Sequence, residues 1–485
     1  MESLRLMSVL GSCFCAALLG AIPATPGTAH PARRLLSPQL EVGAQAQPLQ
    51  ADAPAQRLFT CQVGLSSSVC YDPFQMRHAY GVDGVIAAGY DGSGQSIVVI
   101  DAFQSPTLQT DVDAFSANYG LSPSAAFLTQ IAPDGLTPFD PTSSNMVGWS
   151  GEITLDVEWA HAIAPGAKVV LVLAKSNSDD DLLSALNYAI DSNLGSVISM
   201  SFGGNETCLD QTTLNNWHDT FAAATRKSIT LFASAGDQGA AQKTCDGASW
   251  TQVASHPATD PLVSAVGRTE LHAAGYCLPQ LGCDPTTQPA PGTYDSEVAW
   301  NEFGSESTGG GYSMVFDAPP YQKAVVHSRQ RAIPDVAYNA AIYHGVLTVW
   351  NGSYYLFGGT SAGAPQWSAI TAIADQAAGY PLGFLNAAFY QIVRTKPNYG
   401  PSFHDITEGT NTVTELDANK NPVAVNGYNA SAGWDATTGA GSPIAGGLIG
   451  RMIQFISPGD GNAAIANTAP HGHGSQGGNG KKENH

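Results

Sequence analysis

Five apolar runs dominate the pattern of this chain: SIVVID (96–101), AKVVLVLA (167–174), SVISMSF (196–202), SITLFASAG (228–236) and LVSAVG (262–267). A strand with one wet face alternates apolar and polar side chains; a run without alternation must be covered on both faces, the usual state of a parallel sheet between helices. Segments with helical spacing separate the runs, at about 108–119, at Leu182, Leu183, Leu186 and Ile190, and at about 213–226. The expected fold class is therefore α/β, a parallel β-sheet flanked by helices on both faces. Functional groups are expected beyond the carboxyl ends of its strands. With 485 residues, 43% of them hydrophobic, the chain can bury one large core or two ordinary ones.

The ends read differently. Residues 1–29 carry one Arg, an apolar run from Leu6 to about Ile22, and small residues ending at Ala29, the pattern of a secretory signal peptide. Residues 30–60, rich in Ala, Gln and Pro, read as a linker or short leader, 61–458 as one domain, and 459–485 as a disordered tail. Six of the eight cysteines follow the signal, and their short separations suggest the pairs 61–70, 208–245 and 277–283, though other connectivities stay open. Export to an oxidising, extracellular setting fits that count. Forty acidic against 20 basic residues give a formal charge of −20, which repels nucleic acid and anionic membranes, so neither is an expected partner once the signal is removed. A monomer is expected. Asn205, Asn351 and Asn429 stand in N-glycosylation triplets, which matter only in a host that glycosylates.

The stretch FGGTSAGAPQW (357–367) sets Ser361 where a tight glycine turn meets a helix N-terminus, a place that favours a developing negative charge. A serine hydroxyl needs a base, most often an imidazole. None of the twelve histidines stands in the Gly-His-Gly-Thr setting of a subtilisin-type base. A carboxylate is the remaining choice. In GEITLDVEWAHAIAPG (151–166), Glu152 and Asp156 lie four apart on one face of a helix, with no Lys or Arg three or four residues away. Such a pair by itself is commonly a solvated face. Beside a serine, however, a Glu works as general base near its pKa of about 4.3, and a second acid can hold it by sharing a proton. Asp237, in SAGDQG after a buried strand, could donate a hydrogen bond to an oxyanion if protonated, or simply make a turn. Asp101 ends SIVVID without a histidine to match and is read as structural or accessory.

Glu-x-x-x-Asp followed by WAHAIAPGA, then SAGD, then GGTSAGAP, together with SMSFGG, GGGYS and PDVAYNA, resembles the sedolisin family of serine-carboxyl peptidases from about Tyr71 to about Pro443. The resemblance implies a subtilisin-like fold and hydrolysis of proteins or peptides at acidic pH, in endopeptidase or tripeptidyl-peptidase mode. It makes Ser361 the nucleophile, Glu152 the general base, Asp156 its orienting partner and Asp237 the oxyanion donor. It implies substrate binding as an added strand along Ser199, Met200, Ser201, Phe202, Gly203 and Gly204. It also implies one calcium ion held by the side chains of Asp405 and Asp435 and the carbonyls of Ile406, Ser431 and Gly433, in loops whose Gly and Ser content suits that ion. The family pattern commonly has Gly where Ser431 stands. A large folded propeptide is usual in the family, and the stretch from His30 to Cys70 is too short for one. Two competing readings are a subtilisin-type neutral serine protease and a non-catalytic secreted binding protein on a peptidase scaffold.

Overall fold

The computed structural model describes residues 34–49, 57–456, 464, 465 and 468–470; the segment read as a signal peptide lies outside them. Its centre is an eight-stranded sheet in the order Tyr294–Ala299, Ser264–Ala273, Thr230–Ser234, Val197–Met200, Ser96–Ala102, Lys168–Ala174, Leu128–Ile131, with Val336–Asn339 also paired to Ser264–Ala273. All neighbours run parallel except the Tyr294–Ala299 edge, which is antiparallel. This is the expected subtilisin-like α/β fold. The expected strands and helices appear within a few residues of their expected bounds. The run 196–202 is one exception: it divides at Ser201 into Val197–Met200 and Phe202–Asn205, and the second part leaves the central sheet.

Ser96–Ala102 comes first in the chain yet lies inside the sheet, between Val197–Met200 and Lys168–Ala174. Chain connections leave its two sides in opposite directions, and the crevice so formed at the carboxyl ends is where α/β sheets place their sites. Asp101 stands at that end, in register with Leu173.

Two helices pack together beneath this crevice. Ser144–Ile163 begins at Ser143, whose side chain accepts a hydrogen bond from Met146 N–H, and every residue from Trp149 to Ile163 is buried. Its second face is covered by the hairpin His344–Trp350 and Ser353–Gly358: Trp159 Nε1 donates to the Leu347 carbonyl at 3.2 Å, and the Glu158 carboxylate accepts from Val349 N–H at 3.0 Å. A helix covered all round is a core helix, so Glu152 and Asp156 do not lie on a solvated face. The second helix, Thr360–Ala378, is buried from Thr360 to Asp375.

The segment expected to be a linker or short leader is ordered over its described part. Ser37–Pro38 pairs antiparallel with Phe202–Gly203, and Glu41–Gln45 pairs with Tyr355–Gly358, because the apolar Leu36 is fully buried and the backbone finds two strand edges. The tail was expected to be disordered; of its few described residues, Ala464 and Ile465 pack on the core, and Thr468 lies 3.4 Å from His218 Nε2. Disulfides join 61 to 70, 208 to 245 and 277 to 283 as expected. No helix among the described residues is long and apolar enough to cross a membrane.

The PDVAYNA stretch (334–340) is explained by packing. Asp335 is fully buried and accepts from Arg331 Nη1 at 2.7 Å, Tyr390 Oη at 2.9 Å and Ala265 N–H at 2.8 Å, so it ties three separate segments to the sheet. Asp335→Ala leaves a guanidinium buried without its partner; the expected result is a loss of about 3–5 kcal/mol in urea unfolding.

Candidate active site

Ser361 sits in the first turn of its helix, fully buried, after Gly359, whose φ of +108° is open only to glycine. Its hydroxyl donates to the Ser201 carbonyl at 3.3 Å and also faces Glu152, whose pKa it pulls down in part. Glu152, Asp156 and Asp101 are all fully buried, and no donor among the described residues reaches their oxygens with ordinary hydrogen-bond geometry. Burial above all, then Asp156 and Asp101, drives the Glu152 pKa well above its usual range. Burial likewise pushes Asp156 up to about 8, an effect that the Ser201 hydroxyl and the Glu152 carboxyl partly offset. Asp101 is raised by burial and by Asp156. Three carboxyl groups in one dry site cannot all ionise, so they titrate as a set and hold shared protons.

Sequence reasoning brought Glu152 and Asp156 together and left Asp101 outside. The strand-end position of Asp101 was the one available signal, and its helix-borne neighbour could be identified only in three dimensions. No histidine among the described residues hydrogen bonds Ser361. His256 is fully buried and its pKa is driven well below normal by burial, so it stays neutral.

On the other side of Ser361, Asp237 Oδ1 accepts from Thr360 N–H at 2.8 Å and Thr360 Oγ1 at 2.7 Å, and faces Arg268 Nη1 at 3.1 Å. Its Oδ2 is buried without a partner. Burial raises its pKa, and Arg268 and Thr360 limit the rise. Loading every donor on Oδ1 leaves Oδ2 as the oxygen that carries a proton when the group is neutral. Arg268 was missed by sequence reasoning. It is fully buried, lies 3.3 Å over the Trp300 ring, and donates through Nε to the Ala340 carbonyl at 3.0 Å. A lone Arg inside an apolar strand gave no sign of its partner.

Of the stretch 199–204, Ser199 and Met200 belong to the central sheet, pairing with Val99 and Ile100. Ser201 to Gly203 face the crevice, which residues 37–39 occupy. Gln39 N–H donates to the Ser201 carbonyl at 3.2 Å, Pro38 and Ser37 pair with Phe202 and Gly203, and Ser361 N–H donates to the Gln39 carbonyl at 3.0 Å. Gly204 instead packs against Leu36 and pairs with His256.

The five residues expected to hold calcium come from two touching loops. Gly433 N–H donates to Asp405 at 3.0 Å, and Tyr399 Oη links Asp405 Oδ1 at 3.0 Å with the Ala440 carbonyl at 3.0 Å. Asp435 accepts from Ser431, Thr437 and Thr438. The donor set is all oxygen, as a hard dication requires, and among the described residues no donor meets the carbonyls of Ile406 or Ser431. These residues fit calcium. Glu270, His272 and His344 form a separate trio whose ligand atoms lie within 4.8 Å of one another, a nitrogen-rich set unlike that of a calcium site.

Comparison with known proteins gives a consistent outcome. The model of the Subtilase family matches residues 144–439. Kumamolisin of Bacillus sp. (strain MN-32) is 32% identical over 416 residues, covering 83% of this chain and 67% of that protein. Sedolisin of Pseudomonas sp. (strain 101) is 31% identical over 354 residues, covering 70% and 54%. The solved structure of Pseudomonas sedolisin complexed with two molecules of pseudo-iodotyrostatin matches with a TM-score of 0.66 at 25% identity, over 80% of this chain and 100% of that one. The chain thus spans about half to two thirds of the length of these curated relatives.

The buried acids carry a pH signature. A carboxyl whose folded pKa lies above its unfolded value favours the fold fully below the unfolded pKa, near 3.8 for Asp156, and loses that contribution as pH climbs toward about 8. Buried neutral histidines such as His256 act in the opposite sense, so the test is a difference between proteins. Asp156→Asn, isosteric and uncharged, should raise Tm relative to wild type by at least ~2 °C more at pH 8 than at pH 4, measured by calorimetry.

Proposed function

The chain belongs to the subtilase family and, within it, to the sedolisins, and from that premise we propose that it is a secreted, acid-acting serine-carboxyl peptidase. The observation that carries this reading is a serine hydroxyl facing a buried set of carboxyl groups with no imidazole bonded to it. Ser361 Oγ adds to the carbonyl carbon of a peptide and passes its proton to Glu152, forming a tetrahedral adduct. Asp156 and Asp101 keep Glu152 oriented and share the remaining protons. Glu152 then returns the proton to the amine nitrogen as the C–N bond breaks, which leaves an acyl-enzyme that water hydrolyses. The oxyanion is met by Ser361 N–H and by the protonated Oδ2 of Asp237, whose Oδ1 is held by Thr360 and Arg268. Acid favours the neutral form that Asp237 needs, and burial widens the pH range over which it survives.

Substrates are proteins or peptides, bound as an added strand along Ser201 to Gly203. Support for an endopeptidase mode comes from the crevice itself, which accommodates Arg34 to Gln39, more than three residues on the amino side of Ser361. Secretion is supported by the apolar N-terminal run and by three disulfides. In casein digestion from pH 2 to 8, activity is expected on the acidic side only. Glu152→Gln should lose about 10²–10⁴-fold in kcat/KM, Ser361→Ala about 10⁶-fold in kcat, and Asp237→Ala about 10²–10³-fold. Full activity of Glu152→Gln would refute the assigned base.

One calcium ion held by Asp405, Ile406, Ser431, Gly433 and Asp435 would cross-link the two loops against helix Lys396–Tyr399, a structural task. Chelation should lower Tm by at least ~2 °C in wild type and leave Asp405→Ala unchanged.

A further inference from the structure

Glu270, His272 and His344 belong neither to the acid sets around Ser361 nor to the calcium loops. Glu270 and His272 stand two apart on the strand Ser264–Ala273, so their side chains leave the same face, while Leu271 between them is fully buried. His344 opens the strand His344–Trp350 and brings its ring to the same place. His272 Nε2 lies 3.4 Å and His344 Nδ1 lies 3.5 Å from one oxygen, Glu270 Oε1. The ligand atoms of all three residues fall within 4.8 Å of one another. Both measured gaps are longer than an ordinary N–H···O hydrogen bond of about 2.7–3.2 Å. They match instead the edge of a tetrahedron around zinc, about 3.4 Å for bonds near 2.1 Å. We propose that Glu270, His272 and His344 bind a divalent transition ion, zinc being the best fit, and that water completes the tetrahedron.

The two strands that carry the ligands are held at a fixed spacing before any ion arrives. Buried Asn339 accepts from Leu271 N–H through Oδ1 at 3.0 Å and donates through Nδ2 to the His344 carbonyl at 2.9 Å, so one side chain clamps both backbones. His344 Nδ1 donates to the Leu271 carbonyl at 2.8 Å, and that carbonyl also accepts from Tyr71 Oη at 2.7 Å. To take the ion, the His344 ring turns about its Cβ–Cγ bond, Nδ1 gives up its proton and Nε2 acquires one from solvent. The ring stays neutral, and the Leu271 carbonyl keeps its bond from Tyr71, so no buried acceptor is stranded.

Access and chemistry agree with this reading. The side chains of Glu270, His272 and His344 keep 23%, 40% and 16% of their exposure. Both histidines line a surface cavity of about 520 Å³, together with Tyr71, Thr293, Tyr294 and Asp295, which gives an ion and its water a path from solvent. Two imidazoles and a carboxylate suit zinc, whereas calcium and magnesium take oxygen donors, so this site and the Asp405–Asp435 loops select different ions. The bound ion would join the strand that carries Arg268 to the hairpin whose second strand, Ser353–Gly358, runs into Ser361. Val69–Tyr71, paired with His344–Val346, is drawn into the same clip. Its task is to resist separation of sheet and hairpin, and it stands whether or not Ser361 is a nucleophile.

The test uses the full chain, stripped of metal by a chelator, returned to excess calcium and titrated with zinc chloride at pH 7.5, where a free imidazole is mostly neutral. One equivalent should bind with a Kd of about 10 µM or tighter. Zinc at about 100 times that Kd should raise Tm by at least ~2 °C. His272→Ala, at a position exposed enough to spare the fold, and Glu270→Gln, which keeps the side chain's shape, should each weaken that equivalent by about 100-fold or more. Replacing His471 and His473 of the tail by Ala should leave it in place. Anomalous scattering from zinc-soaked crystals should put the ion between the three side chains. Binding weaker than about 10 µM, equal affinity in wild type and His272→Ala, loss of the equivalent with the tail histidines, or an ion found elsewhere overturns the proposal.

Discussion

Everything at this site follows from removing carboxyl groups from water. Glu152 and Asp156 lie on a helix buried on every side, and Asp101 meets them from the end of a central strand. Desolvation outweighs every other influence on all three, so they hold protons that free carboxyls would have lost. A set of carboxyls with shared protons can give and take one at low pH, where an imidazole would be locked in its charged form. In the proposed reaction the helix is therefore both core and chemistry, and its apolar neighbours set its acidity.

The same logic applies across Ser361. Asp237 is equally dry, but Arg268 and Thr360 crowd one of its oxygens and leave the other without a partner. Arg268 is stabilised in turn by the Trp300 ring and the Ala340 carbonyl, so the charge opposite Asp237 is held by groups that take no part in the reaction. In the proposed reaction one acid set accepts a proton and the other presents one.

Between the two sets runs the N-terminal segment 37–45. Its backbone uses the edge of Phe202–Asn205 and the edge of Ser353–Gly358, and its carbonyl at Gln39 meets Ser361 N–H. A composition of Ala, Gln and Pro had suggested a loose connector, because hydrophobic patterning measures how much core a segment can make for itself. Here a single buried leucine and a backbone that finds two open edges decide the matter.

The sequence by itself determined the sheet, because uninterrupted apolar runs are stable only when covered on both faces, and it determined which residues could do chemistry. Glu152, Asp156, Asp237 and Ser361 each stand in short patterns whose local geometry is set by neighbours in the chain. What only the tertiary structure decided was the company they keep. Asp101 joins Asp156 across more than fifty residues of chain, Arg268 meets Asp237 from another strand, and Gln39 reaches Ser361 from near the other end of the sequence. Local pattern fixes backbone conformation, whereas proton sharing, ion pairing and cleft occupancy depend on distances between segments that only packing brings together.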